Sequence, residues 1–201
     1  MSRCLVLGMS NVGKSCFAIN FAEYMGLKEI KMTIKEPAGY KTIHTYLINE
    51  AKAELISVHP NRTRSLYSLD LDLPIGKGKG RLTLIDSCGL SDGIHPDEQV
   101  RKAMAHTIRQ IKGSEIVLHM IDLWRFIKNS DRKLAIIDEM IMNYVSKPQA
   151  YAILANKIDL SGTESGLEYL KNTLKKIKII PISALYQTGF SEVKSFVGRN
   201  L

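Results

Sequence analysis

One eight-residue pattern near the start of the chain constrains the fold more than any other feature. Residues 8–15, Gly-Met-Ser-Asn-Val-Gly-Lys-Ser, match G-x-x-x-x-G-K-[ST], between the apolar run at 4–7 and a segment with helical periodicity. In a strand–loop–helix context the loop N–H groups and the helix N-terminus point at phosphate oxygens. The pattern therefore predicts a phosphate-binding loop in which Lys14 reaches the β and γ phosphates and the Ser15 hydroxyl ligates Mg²⁺.

Length and composition place limits on the kind of protein. The 201 residues fit a single domain, residues 1–201, and the formal net charge of +8 permits contact with RNA or a ribosome without establishing it. No apolar run approaches the roughly 20 residues of a membrane span, and the chain enters its first strand without a signal peptide. The three cysteines are too scattered for a disulfide framework, so we expect a reduced, cytoplasmic protein.

Strands and helices alternate in the predicted secondary structure. Apolar runs and alternating patterns predict strands, and 3.6-residue periodicity predicts helices. The predicted strands are 3–8, 65–73, 82–85, 116–121, 150–154 and 177–182. The predicted helices are 14–25, 97–112, 130–145 (with Leu134, Ile137, Met140, Ile141 and Tyr144 inward), 163–175 and 189–197. Between them, residues 41–56 repeat apolar side chains every fourth position, which favours a helix, with a strand at 42–48 as the alternative.

This order predicts an α/β fold with a doubly wound, mostly parallel, six-stranded sheet and helices on both faces. The strand at 65–73 pairs with 82–85 in an antiparallel hairpin and is the antiparallel edge strand. Four predicted strands end in polar or glycine-containing motifs. Because ligands of open α/β sheets bind at the carboxyl ends of the strands, these motifs should converge on one site.

The motifs resemble those of a GTPase G domain. Gly8-x-x-x-x-Gly13-Lys14-Ser15, Asp86-x-x-Gly89, Asn156-Lys157-x-Asp159 and Ser183-Ala184 follow one another in the order typical of that domain. The residues at 11–15 and the Gly89-Leu90 pair are similar to the bacterial Era, EngA and TrmE (MnmE) group of the translation-factor class. The resemblance covers essentially the whole chain. It implies a three-layer P-loop NTPase fold and Mg²⁺-dependent hydrolysis of GTP to GDP and phosphate by a molecular switch.

The resemblance implies a role for each motif. Asp86 would hold Mg²⁺ through a water, and the N–H of Gly89 would meet the γ-phosphate. Asn156 and Asp159 would read guanine, because a carboxylate accepts the two N–H groups of that base edge and repels adenine. The remaining nucleotide contacts would come from the Lys157 stem, the backbone near guanine O6 and the phosphate loop: Ser183, Ala184, Asn11, Val12, Gly13, Lys14, Ser15 and Cys16.

The switch I threonine, which ligates Mg²⁺ in the GTP state of such proteins, has two candidates. Thr63 precedes the strand at 65–73 and has the better spacing to Asp86, whereas Thr42 follows a turn at 37–39. With Thr63 in this role, about 30–60 becomes an insertion before or within switch I. A segment of that length is usually functional or mobile.

Position 90 is leucine, where Ras-like GTPases have a glutamine that orients water. The Era and TrmE group also has a hydrophobic residue here, so hydrolysis needs other help. In potassium-stimulated members of the group, an asparagine at the position of Asn11 helps bind K⁺ beside the phosphates. Either Asn11 has this function or it only shapes the loop. Lys14, Asn11 and Thr63 are the predicted catalytic residues.

The sequence leaves three functions open. The first is a GTP-hydrolysing switch, slow without K⁺ or a partner, and the second is a GTP- or GDP-dependent binding module with negligible hydrolysis. The third, an ATP-using P-loop enzyme, is disfavoured by Asn156-Lys157-x-Asp159. The resemblance suggests ribosome assembly, RNA maturation or tRNA modification, with a ribosome, RNA or protein partner bound through the basic surface and the insertion. It is also compatible with a nucleotide-dependent dimer.

Overall fold

Strands and helices alternate along the chain in the computed structural model, which describes residues 2–36, 39–56, 65–75, 78–129, 131, 133–145 and 149–201. The strands are β1 (Ser2–Gly8), β2 (Glu29–Lys35), β3 (Lys41–Leu47), β4 (Leu66–Ile75), β5 (Gly78–Asp86), β6 (Ile116–Asp122), β7 (Ala150–Asn156) and β8 (Lys178–Ile182). The helices are α1 (Lys14–Tyr24), α2 (Ile48–Leu55), α3 (Glu98–Lys112), α4 (Leu123–Lys128), α5 (Ile136–Tyr144), α6 (Thr163–Thr173) and α7 (Phe190–Arg199).

The strands form one mixed sheet in the order β3-β2-β4-β5-β1-β6-β7-β8. β1 pairs in parallel with β5 and β6, and the parallel arrangement continues through β7 and β8. Every residue of β6 is buried, as expected for a parallel strand with helices on both faces. The carboxyl ends of β1, β5, β6, β7 and β8 therefore share one edge, which confirms the predicted fold class and the convergence of the strand-end motifs.

Within the described residues the sheet has eight strands rather than the predicted six, and the two additional strands are β2 and β3. β2 was not predicted, although Ile30, Met32 and Ile34 alternate with polar residues and contribute to the core. β2 pairs with both β3 and β4, so the edge strand is β3 and not the strand predicted at 65–73. The predicted antiparallel pairing of 65–73 with 82–85 is confirmed, since β4 and β5 are antiparallel neighbours.

The prediction of a helix over 41–56 was wrong in its first half. Residues 41–47 form β3 and residues 48–55 form α2. The four-residue spacing of apolar residues runs across the boundary between β3 and α2, so it does not indicate one continuous helix. These residues are Ile43, Leu47, Ala51 and Leu55. Ala51 is fully buried, whereas Ile43 and Leu47 are exposed on the edge strand.

In the second half of the chain the predicted helices are present, with one error of orientation. α3 begins after Asp97, whose carboxylate accepts N–H bonds from Gln99 and Val100, as a helix N-cap does. α5 is shorter than predicted, and it buries Ile137 and Ile141 as expected. Met140 and Tyr144, which were predicted to face inward, are exposed.

Candidate functional site

The loop between β1 and α1 has a backbone that glycine alone permits at its two ends. Gly8 and Gly13 have φ values of 143° and 102°. A Cβ atom on Gly8 would lie 2.3 Å from the carbonyl oxygen of Met120, and one on Gly13 would lie 2.5 Å from Nδ2 of Asn156. Both glycines therefore combine a positive φ with close approach to a neighbouring strand end, as the motif predicts.

Lys14 is buried inside this loop. Its ammonium group donates hydrogen bonds to the carbonyl oxygens of Met9 (2.7 Å) and Gly8 (3.3 Å). Burial lowers the pKa of Lys14, while the nearby carboxylate of Asp86 partly opposes that effect. The backbone oxygens thus fix the ammonium group of Lys14 beside the loop. A phosphate group is the anion that a loop of this kind, at a helix N-terminus, binds.

Ser15 and Asp86 form the group that fits Mg²⁺. The Ser15 hydroxyl donates to Oδ2 of Asp86 at 2.6 Å. Oδ1 of the same carboxylate is buried and has no hydrogen-bond partner among the described residues. Burial raises the pKa of Asp86 to about 6, although Ser15 and Lys14 act in the opposite direction. A hydroxyl beside a carboxylate with one uncompensated buried oxygen is a suitable pair of oxygen donors for this hard cation.

The raised pKa of Asp86 predicts a pH dependence of stability. Because the folded state holds the proton more tightly than the unfolded state, this carboxyl group stabilises the protein below pH 4, and that contribution is lost as the pH rises through about 6. We expect Asp86→Asn to be more stable than the wild type at pH 7.5 by roughly 2–3 kcal/mol, since a tenfold difference in proton affinity corresponds to about 1.4 kcal/mol, and to lose this advantage near pH 4. Urea unfolding of both proteins without Mg²⁺ between pH 4 and 8 measures the difference, and a pH-independent difference would contradict it.

The end of the Asp86-x-x-Gly89 motif is attached to the phosphate loop by backbone hydrogen bonds of the next residue, Leu90. The N–H of Ser10 donates to the Leu90 carbonyl (3.1 Å), and the N–H of Leu90 donates to the Gly8 carbonyl (3.0 Å). A Cβ atom on Gly89 would lie 2.4 Å from Oγ of Ser10, so the close approach requires glycine. The Leu90 side chain is fully buried in the core and cannot reach a water in the site.

Asn156 connects the two loops that flank the predicted guanine site. Its Nδ2 donates to the Val12 carbonyl at 2.7 Å, and its Oδ1 accepts from the N–H of Ala184 at 2.9 Å. The whole side chain is buried, whereas Asp159 is exposed at the same edge. Asn156 therefore positions the phosphate loop against the loop of Ser183 and Ala184, and Asp159 is the side chain of this motif that is open to a base.

Two positioning residues of the site were not predicted. Asn20 of α1 is buried and donates from Nδ2 to the Ala184 carbonyl at 2.7 Å. Asp122, the last residue of β6, contacts Nζ of Lys157 at 2.5 Å and accepts the N–H of Arg125 at 3.0 Å. Each had a signal in the sequence: a polar residue among the apolar ones of the first helix, and an acid directly after a buried strand.

The remaining predicted residues differ in where they lie. Asn11 is exposed, with φ at 63°, and Cys16 is half-buried with Sγ 3.5 Å from the Ala184 carbonyl. Thr63 falls outside the described residues and stays a prediction. Thr42 lies in β3, which three strands separate from β1, a distance of about 19 Å at the usual strand spacing. The structure does not bring Thr42 to the phosphate loop.

None of the helices in the described part of the chain combines the length and the hydrophobicity needed to span a lipid bilayer.

Comparison with known sequences finds relatives among GTPases. No protein-family model matches the chain. It is 29% identical over 129 residues to GTPase Obg of Alkaliphilus oremlandii, covering 59% of this chain and 28% of that protein. It is 27% identical over 126 residues to a probable mitochondrial GTP-binding protein, OBGM, of Arabidopsis thaliana, covering 56% of this chain and 24% of that protein. The chain thus matches about a quarter of the length of these relatives.

Comparison with solved structures finds the same fold over the whole chain. An Era variant from Aquifex aeolicus bound to GDP and AlF4⁻ has a TM-score of 0.66 at 18% identity, covering 99% of this chain and 56% of that one. Era in complex with MgGDPNP and a segment of 16S ribosomal RNA has a TM-score of 0.67 at 19% identity, covering 100% and 56%. The chain therefore has the fold of a small G domain of the Era-like group, and it is similar in sequence to the Obg GTPases.

Proposed function

We propose that this protein binds GTP and GDP and hydrolyses GTP slowly with Mg²⁺, as a molecular switch. The observation that carries the proposal is the buried amide of Asn156, which joins the phosphate loop at Val12 to the loop at Ala184. Because Asn156 holds the two loops together, a single nucleotide could place its phosphates in one loop and its base beside the other. The exposed carboxylate of Asp159 is then the group that accepts the N–H donors of guanine.

Within this proposal Ser15 and Asp86 hold Mg²⁺, which would neutralise charge on the β and γ phosphates. Lys14 moves its hydrogen bonds from the backbone oxygens of the loop to those phosphates. The N–H of Gly89 responds to the γ-phosphate, and the loop that follows Gly89 carries the response to the surface.

A second candidate, a guanine-nucleotide-dependent binding module with negligible hydrolysis, is favoured by Leu90. Its side chain is fully buried and its N–H and carbonyl groups are both bonded to the phosphate loop, so it has no part in orienting a water.

If the protein does hydrolyse GTP, either K⁺ or a partner protein must supply what the missing glutamine supplies in Ras-like GTPases. Asn11, exposed in the phosphate loop, is the residue that we propose for K⁺.

Nucleotide competition and phosphate release test these functions together. Unlabelled GTP should displace a fluorescent GDP analogue at least about a hundredfold better than ATP does, because the Asp159 carboxylate accepts the N–H donors of guanine and repels the acceptor at N1 of adenine. Phosphate release should be faster in KCl than in NaCl, and Asn11→Ala should remove the difference while leaving GDP affinity in place. Equal competition by ATP would contradict the guanine site, and equal rates in the two salts would contradict the K⁺ role.

We propose an RNA or ribosomal partner on the combined support of the formal charge of +8 and the fold shared with an Era–16S rRNA complex.

A further inference from the structure

A cavity of about 480 Å³ lies between the phosphate loop, helix α4 and the start of helix α5. We call it the α4–α5 cavity. Met9 and Val12 line it on the side of the phosphate loop, whereas Lys14, Ser15 and Asp86 do not. Its volume is in the range of about 300–1,000 Å³ that is usual for small-molecule sites. The structure therefore contains a concave site separate from the side chains that fit Mg²⁺.

A buried carboxylate, that of Asp138, lines the α4–α5 cavity. Asp138 is 5% exposed, and its Oδ1 lies 2.9 Å from Nε2 of His119. Nδ1 of His119 lies 2.7 Å from the hydroxyl of Tyr151. Burial raises the pKa of Tyr151, so the hydroxyl keeps its proton and donates it to Nδ1. The ring proton of His119 is then on Nε2 and is donated to Asp138, which fixes the carboxylate without cancelling its charge.

The charge of Asp138 is compensated less well than that of the other buried acid in the α4–α5 cavity, Asp122. Oδ2 of Asp122 lies 2.5 Å from Nζ of Lys157, so a cation compensates its charge. Oδ2 of Asp138 takes part in no hydrogen bond or ion pair within the described ranges of the chain. A buried carboxylate without a cation costs free energy, which a ligand group with positive charge and N–H donors would offset. The inner end of the cavity therefore fits a primary ammonium group.

The rim of the α4–α5 cavity has the opposite charge. Three of its exposed lining residues are cations, and one is an acid: Arg125, Lys128, Lys133 and Asp92. The lining also includes buried or half-buried apolar side chains, among them Ile121, Phe126 and Leu134. The outer end therefore fits an anionic group, and the apolar lining fits a hydrocarbon segment between the two charges.

We propose that the α4–α5 cavity binds a small zwitterion of the ω-amino acid class, in which an apolar chain joins a primary ammonium group to a carboxylate. The ammonium group donates to Asp138, the chain packs on Phe126 and Leu134, and the carboxylate lies at Arg125 and Lys133. A ligand with only one of the two charges leaves one end of the cavity unpaired, so the site selects against it. This binding goes beyond the proposed function and does not rest on it.

A titration of the full chain with ω-amino acids tests the site. The probes are γ-aminobutyrate, δ-aminovalerate and ε-aminocaproate, each compared with the straight-chain carboxylate and the straight-chain amine of the same length. Binding is followed by heteronuclear NMR with and without GDP. We expect one ω-amino acid to bind at least about tenfold more tightly than both of its single-charge counterparts. The largest shifts should occur at the backbone N–H groups of Arg125, Ile137 and Asp138.

Two variants address the two ends of the cavity. Asp138→Asn removes the charge and keeps an oxygen that accepts from His119, so it should weaken ω-amino acid binding at least about tenfold and leave the carboxylate counterpart unaffected. Lys133→Gln, on the exposed rim, should weaken the ω-amino acid and its carboxylate counterpart by several fold and leave the amine unaffected. The control is Asp70→Asn, the same acid-to-amide change at an exposed position of β4, which should leave binding unchanged.

Three results would overturn the proposal. The first is an amine or a carboxylate that binds as tightly as the ω-amino acid of the same length. The second is unchanged affinity in a folded Asp138→Asn protein, or in Lys133→Gln if Asp138→Asn does not fold. The third is competitive displacement of the ω-amino acid by GDP, because the cavity would then be part of the nucleotide site.

Affinity for a fluorescent GDP analogue, measured on the same samples, separates this proposal from the proposed function. Intact GDP binding without any ω-amino acid binding overturns the zwitterion site alone. Charge-selective ω-amino acid binding by a chain that does not bind GDP supports the zwitterion site and contradicts the proposed function.

Discussion

Replacing Lys14 with methionine will reduce GDP and GTP affinity by about ten- to a hundredfold, since a charge-assisted hydrogen bond contributes roughly 1.5–3 kcal/mol and a tenfold change corresponds to about 1.4 kcal/mol. The wild-type ammonium group is buried and bonded to the Met9 and Gly8 carbonyls, poised over the loop that would receive the phosphates. Isothermal titration calorimetry with GDP in the presence of Mg²⁺ measures the loss.

The same change should not unfold the protein. Burial already disfavours the charged form of Lys14, as the lowered pKa shows, so removing the charge relieves a desolvation penalty. Thermal unfolding without nucleotide should occur at an equal or higher temperature than in the wild type. The matched control is Lys176→Met, which makes the same substitution at an exposed lysine and should leave the affinity for GDP unchanged. A Lys14→Met protein that is folded and binds GDP like the wild type would exclude this loop as the phosphate site.

Replacing Asn156 with alanine will lower the free energy of unfolding by about 2–4 kcal/mol, because it leaves two buried backbone groups without partners at roughly 1–3 kcal/mol each. These groups are the Val12 carbonyl and the Ala184 N–H. Denaturant unfolding measures the change. Asn143→Ala, which removes an exposed asparagine from α5, is the control and should alter stability by less than about 0.5 kcal/mol.

In contrast to Asn156→Ala, Asp159→Asn should change nucleotide preference and leave stability almost unchanged. Its carboxylate is exposed, so stability should change by less than about 0.5 kcal/mol, while the preference for GTP over ATP in competition should fall. The two residues belong to one motif, yet one positions loops and the other is open to the base. Equal stability losses in the two variants would contradict this division.

The motifs at the strand ends were predictable because each is local and the alternation of elements places them at one edge. Gly8, Gly13 and Gly89 need no tertiary information to be recognised, since the spacing alone indicates close backbone approach. The structure shows the contacts that require glycine there. The structure places Asn156 between the phosphate loop and the loop of Ala184, and its buried amide and its two loop contacts could not be predicted from the motif.

The amino-acid sequence by itself determined the α/β class, the mostly parallel sheet and the convergence of Lys14, Ser15, Asp86 and Asn156, because periodicity and strand-end position are properties of neighbouring residues. Only the tertiary structure decided that β2 and β3 extend the sheet, since strand pairing joins residues far apart in the chain. Only the tertiary structure decided that Met140 and Tyr144 are exposed. A helical period shows which residues share a face, whereas the neighbours of the helix, here core residues of β1, β6 and α3, determine which face is covered.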